Sequence, residues 1–359
     1  MQKRAGAAYN ASTSNDFTLY QTTTGKEFLP ELLTMEADRF QNLKYSPEVF
    51  KTETGAVLGE YNKNSANPFS KLEEVMRDTA FDRHTYKHTT MGFLKDVQDM
   101  PAQYDYSLKF FDRYYRPEYT TIIVAGAADP KQVRALVDKS FGGWKRGQYH
   151  PDVPVEPKQE APREGHVDWP SPTLPLLAIA YKSPAYTDTG KDTAALDLLA
   201  TLAFGPNSEV YQKLVVREQK LDFIVANSFF SVDPDLFVIR ARLKHAEDLP
   251  AIRQEILDTV KHYQEQLVPA AKLDAVKRRE RYGFAMNLDN SESVANIVAQ
   301  FVAMDRAPDT IDKIYDQTAK LTPEDLRQTA RTYLLESRRT IVSLTGPAPA
   351  GAARPGDAR

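Results

Sequence analysis

LFVIRARLK, residues 236–244, alternates apolar and polar side chains. Phe237, Ile239, Ala241 and Leu243 fall on one face, the period-two pattern of a strand buried on one side. The period then changes. From Pro250 on, Ile252, Ile256, Val260, Tyr263 and Leu267 form one stripe at helical spacing. Working outward, LLAIAYK (176–182) reads as a strand and TAALDLLATLAF (193–204) as a buried helix. Further helical stretches cover 270–288 and 291–304. Thr322-Pro323-Glu324-Asp325 opens another helix, with Thr as N-cap, Pro in the first turn and acids at the positive dipole end. Strands mixed with grouped helices, without strict βαβ alternation, indicate an α+β fold rather than a doubly wound sheet.

The 359 residues suffice for two domains. Apolar residues make up 42% and charged residues 26%, the balance of a chain that folds around a core. The net charge of −3 supplies no positive field for nucleic acid or anionic lipid. The absence of cysteine excludes disulfides, a thiol nucleophile and a thiolate-bound metal. No apolar run reaches membrane-spanning length.

The halves share a weak repeat. SLKFFDRYYRPEYTTIIVAG (107–126) reads as a helix, a Tyr and a strand closing on Gly126; PEDLRQTARTYLLESRRTIVSLTG (323–346) repeats that order and closes on Gly346. Two related domains from one duplicated unit follow. The expected divisions are a first domain at 1–149, a Pro-rich semi-rigid linker at 150–175, a second domain at 176–346 and a disordered tail at 347–359.

Searching for chemistry yields little at first. Phosphate loops, dinucleotide fingerprints and serine-hydrolase elbows are absent, as are H-E-x-x-H and H-x-x-E-H. His84 and His88 have helical spacing, but their Thr-rich surroundings read as a loop. His150 and His166 fall in the expected linker. The segment KTETGAVLGEYNKN (51–64) holds Glu53 and Glu60, seven residues and about two helical turns apart, with Gly55 and Gly59 between them. Spacing alone is compatible with a solvated face or with a site.

Several segments in order resemble the insulinase/pitrilysin family of zinc metallopeptidases, the inverzincins. These are NASTSNDFTLY, ETGAVLGE and FFDRYYRPEYTTIIVAGAADPKQVRALVDKSFGGW, then GPNSEVYQKLVVREQKLDFIV and SFFSVDPDLFVIRARL in the second half. The resemblance implies paired α+β domains, each an antiparallel sheet backed by helices, closing on an extended peptide, with one zinc per full-length enzyme. In that family the zinc is held by the two His of H-x-x-E-H and by a distant Glu, and the Glu within the motif is the general base. By resemblance Glu60 is the third metal ligand and Glu53 a supporting acid behind it. Asn10 and Ala11 lie on the strand that would hold peptide backbone by β-augmentation.

The same resemblance marks departures. Only 59 residues precede Glu60, and the histidine motif of the family lies further upstream than that. No catalytic residue of this chain is therefore expected, and the zinc site is incomplete within it. One reading is an N-terminally truncated zinc endopeptidase, inactive as supplied and with exposed apolar surface in its first domain. The other is a non-catalytic subunit that binds peptides or scaffolds an active partner; retention of both glutamates favours the former. Phe223 stands where active relatives place a Tyr that stabilises the oxyanion, which implies a homologous subunit bearing that tyrosine. Arg217 is expected in a structural or rim ion pair, with a substrate contact as the alternative. The compartment stays open, with a bacterial periplasmic location as the family-level expectation.

Overall fold

The computed structural model describes residues 6–305 and 307–348. In chain order, the first elements are β1 (Ala8–Thr13), β2 (Thr18–Thr23), α1 (Leu29–Asn42), α2 (Pro47–Ser65), α3 (Pro68–Ala80), α4 (Leu94–Asp99), α5 (Tyr104–Tyr114) and α6 (Pro130–Phe141). There follow β3 (Arg163–Asp168), β4 (Leu176–Lys182), α7 (Asp192–Phe204), a π-helical stretch at Gln212–Arg217, β5 (Leu221–Ser228) and β6 (Leu236–Leu243). The last are α8 (Leu249–Glu265), α9 (Ala270–Met286), α10 (Ser291–Asp305), α11 (Thr310–Lys320), α12 (Pro323–Tyr333) and β7 (Arg339–Thr345). The predicted disordered tail lies outside the described residues, apart from its first two positions.

The chain forms two compact units. One holds residues up to Asn62 with Thr90–Val153 and Phe284–Pro308; the other holds Lys63–Thr89, Pro154–Gly283 and the residues from Asp309 on. This division differs from a simple split at 150–175. Residues 63–89 group with the second unit, and the Pro-rich stretch carries β3. Glu156 anchors that stretch: its carboxylate accepts hydrogen bonds from the backbone N–H groups of Asp82, Arg83 and His84 at 2.9–3.2 Å. Prolines keep the stretch extended, but these bonds hold it down rather than leaving it as a spacer.

The second unit is built on a five-stranded sheet ordered β3-β7-β4-β6-β5. β4, β6, β5 and β7 pair antiparallel, while β3 runs parallel to β7, so the sheet is mixed rather than wholly antiparallel. Central β4 is buried on both faces from Leu176 to Tyr181, which explains its unbroken apolar run. β6 buries Phe237, Ile239, Ala241 and Leu243 as its alternation predicts. Their face is backed by helices, with α7 lying on β5 and α12. α3 covers the other face, packing Leu72, Met76 and Ala80 against Val238, Val342 and Leu344. It starts cleanly: Asn67 Oδ1 accepts from Phe69 N at 2.9 Å, with Pro68 in the first turn. Gly165 on β3 allows the close approach, since a Cβ there would lie 3.2 Å from Thr79 Oγ1 and 3.3 Å from Val342 Cγ2.

Thr322 caps α12 as predicted, and Asp325 completes a reciprocal capping box. α8 buries Ile252, Ile256, Val260 and Tyr263 but ends at Glu265. Leu267, expected on the same stripe, lies past the helix end and is 43% exposed.

The first unit is more open. β1 and β2 form a two-stranded antiparallel sheet with Asn10 opposite Gln21 and Ala11 opposite Tyr20. α1 packs on α6, and Gln41 Nε2 donates to the Ser140 carbonyl at 3.1 Å. Aromatic rings link the rest: Tyr20 and Phe40 meet edge-on at 5.2 Å, and Phe111 stacks on Tyr115 at 4.6 Å. Burial, then the hydrogen bond with the Tyr20 hydroxyl, pushes the Tyr115 phenol upward. The strand expected to close on Gly126 is not formed. Residues 121–125 have no ladder partner among the described residues, and strand propensity without a neighbour makes no strand.

Candidate functional site

α2 opens at Ser46, whose Oγ accepts from Val49 N at 3.3 Å, with Pro47 as the first helical residue. Its buried residues are Thr54 and Tyr61, seven apart. Glu53 and Glu60 each precede one of them, so the two acids form a parallel stripe about 100° round the helix. Both are exposed. Neither carboxylate makes a hydrogen bond or ion pair with another described residue. A Cβ at Gly55 or Gly59 would meet nothing within 4 Å. The structure thus puts the two acids on one exposed stripe of the helix, while Gly55 and Gly59 fall on a different side, well over a quarter-turn away.

No histidine joins them. His84 is buried in the second unit: its Nδ1 accepts from Tyr86 N at 3.1 Å, and Nε2 lies 3.2 Å from Asp233 Oδ2. His88 Nδ1 faces the Thr89 carbonyl at 2.8 Å. The pair sits around a short 3-10 turn, Thr85–Lys87, as the loop reading implies. His150 is exposed. His166 lies on β3, not in a linker, with Nδ1 2.8 Å from Ser343 Oγ. No group of three or more His, Asp or Glu among the described residues is arranged to hold a metal. A catalytic zinc takes three protein ligands and one open position. Glu53 and Glu60 alone do not fit that ion.

Asn10 and Ala11 sit together on β1, whose residues are exposed along its whole length and which pairs only with β2 among the described residues. The other edge of β1 has no ladder partner among the described residues. Part of it is self-capped, because Ala11 N donates to the Asn10 side-chain oxygen at 2.9 Å. A peptide strand added here would exchange that bond for one to its own carbonyl.

Phe223 faces α3, stacked on Phe69 at 5.9 Å with the Arg242 guanidinium 5.5 Å above its ring. Its role is packing. Arg217 is exposed and forms no ion pair among the described residues, in contrast to the expected structural or rim pair. It sits in the last turn of the π-helical stretch, and the chain then turns through Gln219 at φ 53°.

Two buried polar centres of the second unit leave no mark in the sequence. Arg77 Nε donates to Glu73 at 2.9 Å and its Nη1 to Asp235 at 3.2 Å, while Glu73 also binds Arg240 Nη2 at 2.5 Å. Burial works to lower the Arg77 pKa, but Asp235 and Glu73 outweigh it and raise the net value. Lys182 Nζ lies 3.2 Å from Glu156 and 3.3 Å from the Phe81 ring centroid. Burial brings Lys182 down to about 8, against the pull of Glu156. Burial raises Glu156, yet the three backbone N–H groups and Lys182 prevail and hold it at about 2.

Sheets backed by helices, a bare edge strand and a helix presenting an acidic pair are the features of a peptidase-like α+β chain. The profile described as "Insulinase (Peptidase family M16)" matches residues 2–93, and that of the "Peptidase M16 inactive domain" matches residues 102–280. The chain belongs to the insulinase family, peptidase family M16. It is 28% identical over 348 residues to a Helicobacter pylori protein named zinc protease PqqE, covering 95% of this chain and 77% of that one. An uncharacterised zinc protease of Streptomyces coelicolor is 23% identical over 351 residues, 95% of this chain and 74% of its own length. The crystal structure of a protease from Helicobacter pylori superposes with a TM-score of 0.88 at 26% identity, over 96% of this chain and 83% of that one.

Proposed function

We propose that this chain is the peptide-holding part of a zinc-dependent endopeptidase. It receives an extended peptide along β1 at Asn10 and Ala11. It offers Glu60, oriented by Glu53, to a metal site that the described residues do not complete. Alone, the chain turns over no peptide. The observation that carries this reading is the exposed stripe of α2 on which Glu53 and Glu60 align seven residues apart with no partner among the described residues.

The test uses dialysed full chain. The expected result is less than one equivalent of bound zinc by elemental analysis, no cleavage of a fluorogenic unstructured peptide, and measurable binding of that peptide by fluorescence anisotropy. Ala11→Pro, which removes the edge N–H but suits an edge strand, weakens that binding. One equivalent of zinc retained after dialysis, with cleavage lost in Glu60→Gln, overturns the inactivity. Unchanged peptide affinity in Ala11→Pro overturns the role of β1.

A second reading is a non-catalytic subunit that binds peptides or scaffolds an active partner. Mixing the chain with a homologous subunit that bears the tyrosine separates the two. If Glu60→Gln leaves the activity of the mixture unchanged, the glutamate takes no part in catalysis and the second reading stands.

A further inference from the structure

The repeat between the two halves keeps register. After β6, a 3-10 turn at Ala246–Asp248 leads into α8 at Leu249-Pro250; after β2, a 3-10 turn at Lys26–Phe28 leads into α1 at Leu29-Pro30. α12 precedes β7, which closes on Gly346, and α5 precedes residues 121–125, which close on Gly126. Leu29 to Leu249 and Gly126 to Gly346 are the same interval, 220 residues. A constant interval over that span marks one structural unit present twice. The β1–β2 hairpin therefore answers to β5–β6, and residues 121–125 answer to β7.

In the second unit the counterparts do not touch. β4 lies between β6 and β7, antiparallel to both, with Ile179 opposite Ile239 on one side and Ile341 on the other. In the first unit β2 pairs with β1 alone, and residues 121–125 join no ladder among the described residues. Two edges are thus left facing the position that β4 fills in the other copy. Their ends meet the same helix turn. Thr23 Oγ1, at the end of β2, donates to Glu292 Oε2 of α10 at 3.0 Å. A Cβ on Gly126 would lie 3.5 Å from the Cβ of Ser291, the first residue of α10. α10 so holds the two edges side by side at one end without pairing them.

We propose that the first unit takes up one apolar strand from a separate polypeptide, laid antiparallel between β2 and residues 121–125. The copy in the second unit specifies its chemistry. β4 is buried from Leu176 to Tyr181 because it is covered on both faces and paired on both edges, and a strand in the equivalent position needs the same unbroken apolar run. The interval of 220 also fixes the register: the residue that answers to Ile179 lies between Leu19 and Thr121. This position is distinct from the outer edge of β1, where a guest is gripped on one side only. The inference rests on the repeat and is independent of any role of β1 in holding peptide.

Amide hydrogen exchange on the full chain tests it. The probe is a synthetic peptide with the β4 sequence LLAIAYK and two lysines added for solubility. At saturation, protection of Thr18–Thr23 and of residues 121–125 rises about tenfold or more, while β6 stays unchanged as the internal reference. The same peptide with proline at its isoleucine position gives no protection, because it cannot donate to the ladder there. Protection of only one of the two edges, or only of Ala8–Thr13, overturns the proposal, as does equal protection by the proline peptide. Protection that grows with protein concentration and without peptide overturns it too, since a second copy of the chain would then be the occupant. A paired variant checks the spacing in this cysteine-free chain. With Leu19→Cys and Thr121→Cys, two strand spacings of about 4.8 Å hold the Cα atoms beyond the about 7 Å that a disulfide spans, so the pair stays reduced in air. Ready disulfide formation would mean that the two edges meet directly, and overturns the proposal.

Discussion

The two units solve the burial problem differently. The second stacks helices on both faces of a five-stranded sheet and buries β4 completely. The first has a two-stranded sheet, and α5 and α6 bury no residue fully among those described. Tyr106, Leu108, Phe110 and Ile122 of that unit are between 38% and 52% exposed. A helix amphipathic in sequence therefore has a covered apolar face in one unit and a partly bare one in the other. Amphipathic pattern specifies which side of a helix seeks cover, but not what supplies it.

This contrast is open to direct attack. The largest expected effect is from Phe237→Ala, at the centre of the second sheet with no exposed surface. It lowers stability by about 3–5 kcal/mol in denaturant unfolding, whereas Phe110→Ala in the first unit costs under about 0.5 kcal/mol. Equal losses would mean that the first unit hides a core of the same quality.

A smaller effect sharpens the picture of how the Pro-rich stretch joins the second unit. Glu156 is held at about 2, below its ordinary value. A depressed carboxyl contributes stability above its unfolded value and loses it as pH falls. The thermal midpoint of the wild type should therefore drop between about pH 4.5 and pH 2, and Glu156→Gln should flatten that acid limb. An unchanged limb would place the anchoring elsewhere. The smallest effect is a gain: Gly59→Ala should stabilise the chain by about 0.5–1 kcal/mol, because helix propensity improves and the added methyl meets open space. A loss would show that something occupies that side of α2.

Patterns local in sequence were legible. The alternation of β6, the apolar run of β4 and the Thr322 cap each depend on neighbours within a few residues, and each is found where expected. Features that need distant partners were not. Arg77 meets Asp235 158 positions further on, and Glu156 meets a loop 72–74 residues earlier. Neither pairing has any periodicity to reveal it. Residues 121–125 show the opposite failure: a strand-like sequence found no ladder to join. For the candidate site, spacing placed Glu53 and Glu60 correctly on one helix side, but only the resemblance gave that side a meaning.

The self-capped edge of β1 has a further consequence. A bare strand edge is adhesive, and identical chains can zip together along it. With the Asn10 amide already on the Ala11 N–H, a newcomer gains no hydrogen bond at that point; it only replaces one. Backbone contact there is close to neutral, so a guest must win through its side chains or through the remaining length of the strand. One asparagine thus gives the edge a modest selectivity, discouraging casual self-association while leaving it open to a longer, better-matched peptide.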